Sequence, residues 1–323
     1  MATHFYPSYT QGELAPQAQA FLQRIAEDQL PPTHSLTPVE VRARMWPAMR
    51  RLVGSPEEVA KVENLSIPGL GGQIPIRVYT PKGRGPFPIL VYFHGGWWVF
   101  WDLDVADNLC RSLANAASCV VVSVDYRLAP EQKHPAAVED AYTATEWAVA
   151  NAERIRGDPS FVAVGGDSAG GNLAAVVSLM ARRPGSPALA YQLLICPVTN
   201  VSSFDTESYR YFGEGLWAPK ALAQWAVKHY LSDEGQAQHP YASPLLAEDL
   251  SELPPALVIT AEFDTLRDEG EAYAKRLSEA GIAARCTRYN GVLHDFPVLA
   301  GVFDQAKDAI NEAAAALRSA FAK

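Results

Sequence analysis

The chain has 323 residues, 48% hydrophobic and 20% charged, enough apolar material for one large core and a modest accessory layer. A formal net charge of −9 argues against nucleic acid as a partner, because phosphate binding needs clustered Lys and Arg. No apolar run is long enough to span a bilayer, and the first residues show no basic-then-apolar leader pattern, so a cytoplasmic chain without a membrane partner is expected.

Residues 1–50 carry two amphipathic patterns, at 15–28 and 38–52, expected as an N-terminal helical cap segment. Residues 73–80 then alternate apolar with polar after a glycine-rich turn at 69–72, which predicts a half-exposed strand near an antiparallel end of a sheet. Beyond Phe87, strand-like runs at 89–93, 119–124, 161–165, 191–196, 257–260 and 284–289 alternate with helical patterns at 104–117, 135–151, 169–182, 265–280 and 302–322. Near-continuous apolar strands separated by helices predict a parallel sheet covered on both faces. The stretch 199–239 breaks the alternation. It is aromatic and polar, with a helix-like piece at 219–231, and reads as a cap insertion between core segments 51–198 and 240–323. The cysteines Cys110, Cys119, Cys196 and Cys286 have no Cys-x-x-Cys spacing and read as reduced core residues.

The most informative segment is Gly166-Asp167-Ser168-Ala169-Gly170, directly after an apolar strand and directly before a helical pattern. In a G-x-S-x-G motif, small residues two positions either side of the serine let strand and helix approach, and the hydroxyl projects above the sheet. A serine hydroxyl is a poor nucleophile until an imidazole takes its proton. Of seven histidines, only His294 follows the last strand-like run, in a loop able to hang over Ser168. The orienting acid should leave the end of the preceding strand. Asp264 stands there, although it is also well placed to cap the following helix. Glu262 and Asp268 are its rivals, with Asp268 one turn into that helix and expected to face elsewhere. Asp295, next to the histidine, points to the opposite side in an extended geometry. Metal binding finds no support, because no H-E-x-x-H occurs and the histidines lack ligand spacing.

At the end of an earlier strand stands His94-Gly95-Gly96-Trp97-Trp98, where a His-Gly-Gly segment supplies the second half of an oxyanion hole. With Val124-Asp125-Tyr126-Arg127-Leu128-Ala129-Pro130-Glu131, the segment 165–172, Asp264 through Asp268, and His294, it makes the chain resemble the hormone-sensitive-lipase-like family, the bacterial family IV carboxylesterases. The resemblance implies an α/β-hydrolase fold with a mostly parallel twisted central sheet, helices on both faces and a helical cap. It implies hydrolysis of short- to medium-chain acyl esters without a cofactor, by Ser168, His294 and Asp264. The oxyanion hole would come from Gly95, Gly96, Trp97 and Ala169, with Arg127 and Glu131 buttressing the loops.

Trp97 and Trp101 depart from the family pattern, which has glycine at both places, as engineering of a natural esterase would also leave it. A positive φ at Trp97 would be strained. Trp97, Trp98, Trp101 and Leu216 are expected to line the substrate pocket, with the first and third narrowing its acyl side. Other readings are an amidase or peptidase with the same triad, or a catalytically weak ligand-binding protein on this fold. A homodimer is left open.

Overall fold

The computed structural model describes residues 12–322; His4 and residues 1–11 of the expected cap segment lie outside them. Eight strands follow in chain order: β1 (Lys61–Gly69), β2 (Gly72–Thr80), β3 (Phe87–Phe93), β4 (Val120–Val124), β5 (Gly157–Asp167), β6 (Tyr191–Ile195), β7 (Ala256–Phe263) and β8 (Ala284–Leu293). They form one sheet ordered β1-β2-β4-β3-β5-β6-β7-β8. Strand β2 is antiparallel to both β1 and β4, and the other neighbouring pairs are parallel. β4, β6 and β7 are buried along their whole length, as helices on both faces require.

β1 has no counterpart among the expected strands. Its sequence, KVENLSIPG, is mostly exposed or half-buried and carries a proline, so local pattern gives no strand signal. What defines it is pairing: Lys61 to Gly69 lie opposite Thr80 to Gly72 in unbroken register.

The crossover helices are α3 (Leu103–Ala117), α4 (Ala136–Ala150), α5 (Ala169–Met180), α8 (Arg267–Glu279) and α9 (Gln305–Phe321). α3 packs with α9, and α4 packs with α5. α5 is buried throughout and runs from the centre of the sheet, fixing the position of the residue before it.

Four further helices lie outside this alternation: α1 (Pro16–Glu27), α2 (Pro38–Leu52), α6 (Glu207–Phe212) and α7 (Lys220–Tyr230). α2 opens with a reciprocal pair of bonds between Thr37 and Glu40, which satisfies two orphan donors of the first turn. α6, too short to show a period, was not anticipated. Thr206 caps it, and the Ser208 N–H donates to Asp268 on α8. The two outer segments touch where the Phe21 ring of α1 meets Trp217 edge-on at 5.2 Å.

Cys110, Cys119 and Cys196 are buried, but Cys286 is exposed. The expectation of four core cysteines is corrected there, because Cys286 sits on β8, the edge strand, where alternate side chains face water. Among the described residues, no helix is long and apolar enough to cross a membrane.

Candidate active site

Ser168 joins β5 to α5 with φ 52° and ψ −116°, a backbone state that costs of order 1–3 kcal/mol and persists only where its surroundings impose it. They do. The Ser168 N–H donates to the Ile195 carbonyl, and its own carbonyl accepts from Val198 and Asn172. The Asn172 amide in turn holds the carbonyls of Val198 and Ala242, each at 3.0 Å. Gly170 is required sterically, since a Cβ there would run into the Phe93 carbonyl.

His294 follows β8, and its Nε2 lies 3.0 Å from the Ser168 hydroxyl. Nδ1 lies 2.8 Å from Asp264 Oδ2. Asp264 leaves the end of β7 and accepts a second bond from the Leu266 N–H at 2.9 Å; that bond closes a turn ahead of α8, whose N-cap is Leu266 without a side-chain cap, so Asp264 does not cap the helix as its position in the sequence allowed. As an acceptor, Asp264 fixes the proton on Nδ1 and leaves the Nε2 lone pair facing the serine O–H. All three side chains are buried, with Ser168 and Asp264 1% and His294 4% exposed.

The rival acids are occupied elsewhere. Asp268 holds α6 and the Arg267 guanidinium. Glu262, fully buried, accepts the backbone N–H groups of Gly12 and Gly291, tying the N-terminal segment to the end of β8 just before His294.

Asp295 is not where an extended chain would put it. β8 ends at Leu293, and Asp295 takes φ 55°, so the alternation of side chains is broken and its carboxylate turns back, 3.1 Å from His294 Nε2. Burial opposes a charge on His294, but Asp264 and Asp295 outweigh it and hold its pKa well above the usual range. Burial pushes Asp295 upward, while the His294 charge opposes that. Asp167, which accepts the Tyr92 hydroxyl at 2.6 Å, is pushed up to about 8, first by burial and then by Asp295.

The loop expected to carry oxyanion donors follows β3. Among the described residues, no group of the chain accepts from the backbone N–H of Gly96 or Trp97, and Ala169 opens α5, whose first-turn N–H groups lack intrahelical acceptors. Gly95 lies against Asp167 and the Trp101 ring. Gly96, Trp97, Trp98 and Trp101 all have positive φ, of 97°, 54°, 59° and 70°. Three tryptophans thus occupy the left-handed region, stabilised by packing. Trp98 is fully buried and stacks on Tyr230 of α7 at 4.1 Å, so its ring face is taken up by that helix. Trp97 meets Trp98 edge-on, and Trp101 meets Phe100 in the same way. Leu216 is half-buried between α6 and α7.

His94 turns inward, donating from Nδ1 to the Gly95 carbonyl at 2.7 Å and stacking on Tyr126 at 4.4 Å. Burial lowers its pKa to about 4, so it supports the loop as a neutral ring. Arg127 forks onto Asp140, with Glu139 beside it.

Cys196, Asp264 and His294 offer one ligand atom each within 4.8 Å of one another. Burial pushes the thiol up to about 12, and Nδ1 is already committed to Asp264, an arrangement suited to proton transfer. The large depression beside β8, lined by Tyr191, Arg285, Arg288, Tyr289 and Glu312, contains no member of the serine–histidine–aspartate chain. Sequence reasoning named Asp295 but sent it to the opposite side, whereas Glu269, which accepts the Thr199 and Asn200 N–H groups, and Arg42, which holds the Val99 and Ala129 carbonyls, left no local signal.

A family profile for the alpha/beta hydrolase fold matches residues 90–298. Carboxylic ester hydrolase LipN of Mycobacterium tuberculosis is 45% identical over 287 residues, covering 87% of this chain and 76% of that protein. An arylesterase of Saccharolobus solfataricus is 38% identical over 257 residues, 80% of this chain and 83% of that one. A hyperthermophilic esterase from the archaeon Pyrobaculum calidifontis superposes with a TM-score of 0.91 at 41% identity, covering 97% of this chain and 100% of its own.

Proposed function

Since the chain belongs to the α/β-hydrolase fold family, in its hormone-sensitive-lipase-like branch of carboxylic ester hydrolases, we propose that Ser168, His294 and Asp264 are its catalytic triad and that its substrates are short- to medium-chain acyl esters. The observation that carries this reading is the unbroken hydrogen-bonded chain from Ser168 Oγ through His294 to Asp264, at 3.0 and 2.8 Å.

Hydrolysis proceeds by two acyl transfers. Nε2 takes the Ser168 proton as Oγ bonds to the ester carbonyl carbon, whose π electrons move onto oxygen. The backbone N–H groups of Gly96, Trp97 and Ala169 receive that oxyanion; Gly95, turned toward Asp167, positions the loop. His294 then gives its proton to the departing alkoxide, and water repeats the sequence on the acyl-enzyme.

Trp97 and Trp101 narrow the acyl side of the pocket in this reading, and Trp98 backs the loop against Tyr230. Residues 12–50 and the 199–239 segment form the cap over the site in this reading, supported by the Phe21–Trp217 contact. Cytoplasmic action goes with four free cysteines.

Turnover of p-nitrophenyl esters and covalent labelling of Ser168 by a fluorophosphonate, located by peptide mass, test the proposal. Ser168→Ala is expected to lose the label and to drop turnover by roughly 10⁴-fold or more. A folded Ser168→Ala protein as active as the parent refutes it.

A further inference from the structure

His294 Nε2 has two oxygen neighbours at nearly equal distance, Ser168 Oγ at 3.0 Å and Asp295 Oδ2 at 3.1 Å. A triad needs only the first. In the neutral ring, with its proton held on Nδ1 by Asp264, Nε2 presents a lone pair. An ionised carboxylate facing that lone pair is repelled, whereas one proton placed between the two atoms makes a short charge-assisted bond.

The surroundings favour keeping that proton. Asp295 is 1% exposed, and its other oxygen has no hydrogen-bond partner. Two carboxylates contact the ring, Asp264 from the end of β7 and Asp295 itself, and Asp167 from the elbow adds its charge to the field around Asp295. Tyr92 on β3 donates to Asp167 and brings no charge. Cys196, after β6, stays a neutral thiol. The Arg267 guanidinium on α8 is turned to the Glu262 carbonyl and to Asp268. The group able to offset Asp295 is therefore the imidazole beside it.

We propose that Asp295 shares one proton with His294 Nε2 and thereby sets the pH below which the triad is idle. This rests on the triad assigned above and adds a positioning residue that acts through His294. At low pH the shared proton occupies Nε2, and the Ser168 proton has nowhere to go. As pH rises the proton passes to solvent, the lone pair is freed, and Nε2 can accept from Ser168. Once ionised, Asp295 also makes Nε2 a stronger base, because it stabilises the imidazolium formed during attack.

Two signatures follow together when the carboxylate is removed. The acid limb of the pH profile moves down, and the alkaline plateau falls. A purely structural role would lower the plateau and leave the limb in place.

The experiment is kcat/KM for p-nitrophenyl acetate over roughly pH 5 to 10 in the parent, Asp295→Asn and Asp295→Gly. Both substitutes tolerate the left-handed backbone at this position, so each should fold. The expected result is an acid limb displaced downward by about one pH unit or more in both variants, with a lower plateau. Where turnover is too slow, the rate of Ser168 phosphonylation by a fluorophosphonate gives the same limb. An acid limb unchanged in both variants overturns the proposal. A folded parent that neither turns over esters nor takes the label overturns the triad instead, so the two failures are distinguishable.

Discussion

Arg42 of α2 and Glu131 form a two-pronged ion pair, with both contacts at 2.8 Å. The same guanidinium donates to the carbonyls of Val99 and Ala129, so a helix from the N-terminal segment is fastened to the loop that carries the three tryptophans. Glu131 is 52% exposed on its side chain, which limits the ion pair itself to under about 1 kcal/mol.

The two partners should therefore be unequal. Glu131→Gln is expected to cost less than about 1 kcal/mol in urea denaturation, whereas Arg42→Met strands two carbonyls and costs about 2 kcal/mol or more. Arg42→Met should also lower kcat by loosening the loop. Equal losses from the two variants would show that the carbonyl contacts contribute nothing.

Gly96 is the tightest point of the loop proposed to hold the oxyanion. Its φ is 97°, and a Cβ would meet the Phe100 carbonyl. Gly96→Ala is expected to turn the loop and remove a donor, lowering kcat by roughly 10²–10³-fold with labelling of Ser168 slowed in parallel. Near-parental kcat would place the hole elsewhere.

Trp97→Gly and Trp101→Gly relieve a left-handed indole and open the space it fills. A chain-length series of p-nitrophenyl esters should then shift, with kcat/KM for longer acyl chains relative to acetate rising about tenfold. Unchanged selectivity in both variants would separate these rings from the acyl pocket.

Glu269 is buried on α8, accepts the N–H groups of Thr199 and Asn200, and has its pKa raised from 4.5 to about 8, chiefly by burial and against those two bonds. A carboxyl raised in the folded state binds protons more tightly there than in the unfolded chain. Its contribution is therefore fully present below 4.5, is lost as pH climbs toward about 8 and then levels off. Glu269→Gln keeps an acceptor without the charge. The thermal midpoint of the parent should fall relative to this variant between pH 5 and 8, and parallel curves would show that Glu269 is ionised throughout.

Much of the central architecture is written in local pattern. Runs such as 119–124 and 257–260 are largely apolar because both faces of a parallel sheet are covered. Ser168 is legible because a strained strand-to-helix turn tolerates only small neighbours, and that steric demand leaves a motif. Asp264 and His294 are legible through chain order, since each leaves the end of a strand whose place in the sheet is fixed. β1 and α6 are not, because the first exists through its pairing with β2 and the second through Thr206 and Asp268.

Tertiary structure alone decided the electrostatics around the imidazole. In sequence, Asp295 is the residue after a histidine, and strand alternation sends it away. The left-handed turn at the end of β8 brings it back, beside a nitrogen that Ser168 also needs. In the same way, Arg42 is one cation on a polar helix face until folding sets it against Val99, Ala129 and Glu131. Hydrophobic period and turn chemistry are properties of neighbours in the chain, so the local order of residues encodes them; proton sharing and long-range tethers depend on distances between segments that meet only once the sheet has closed around its core.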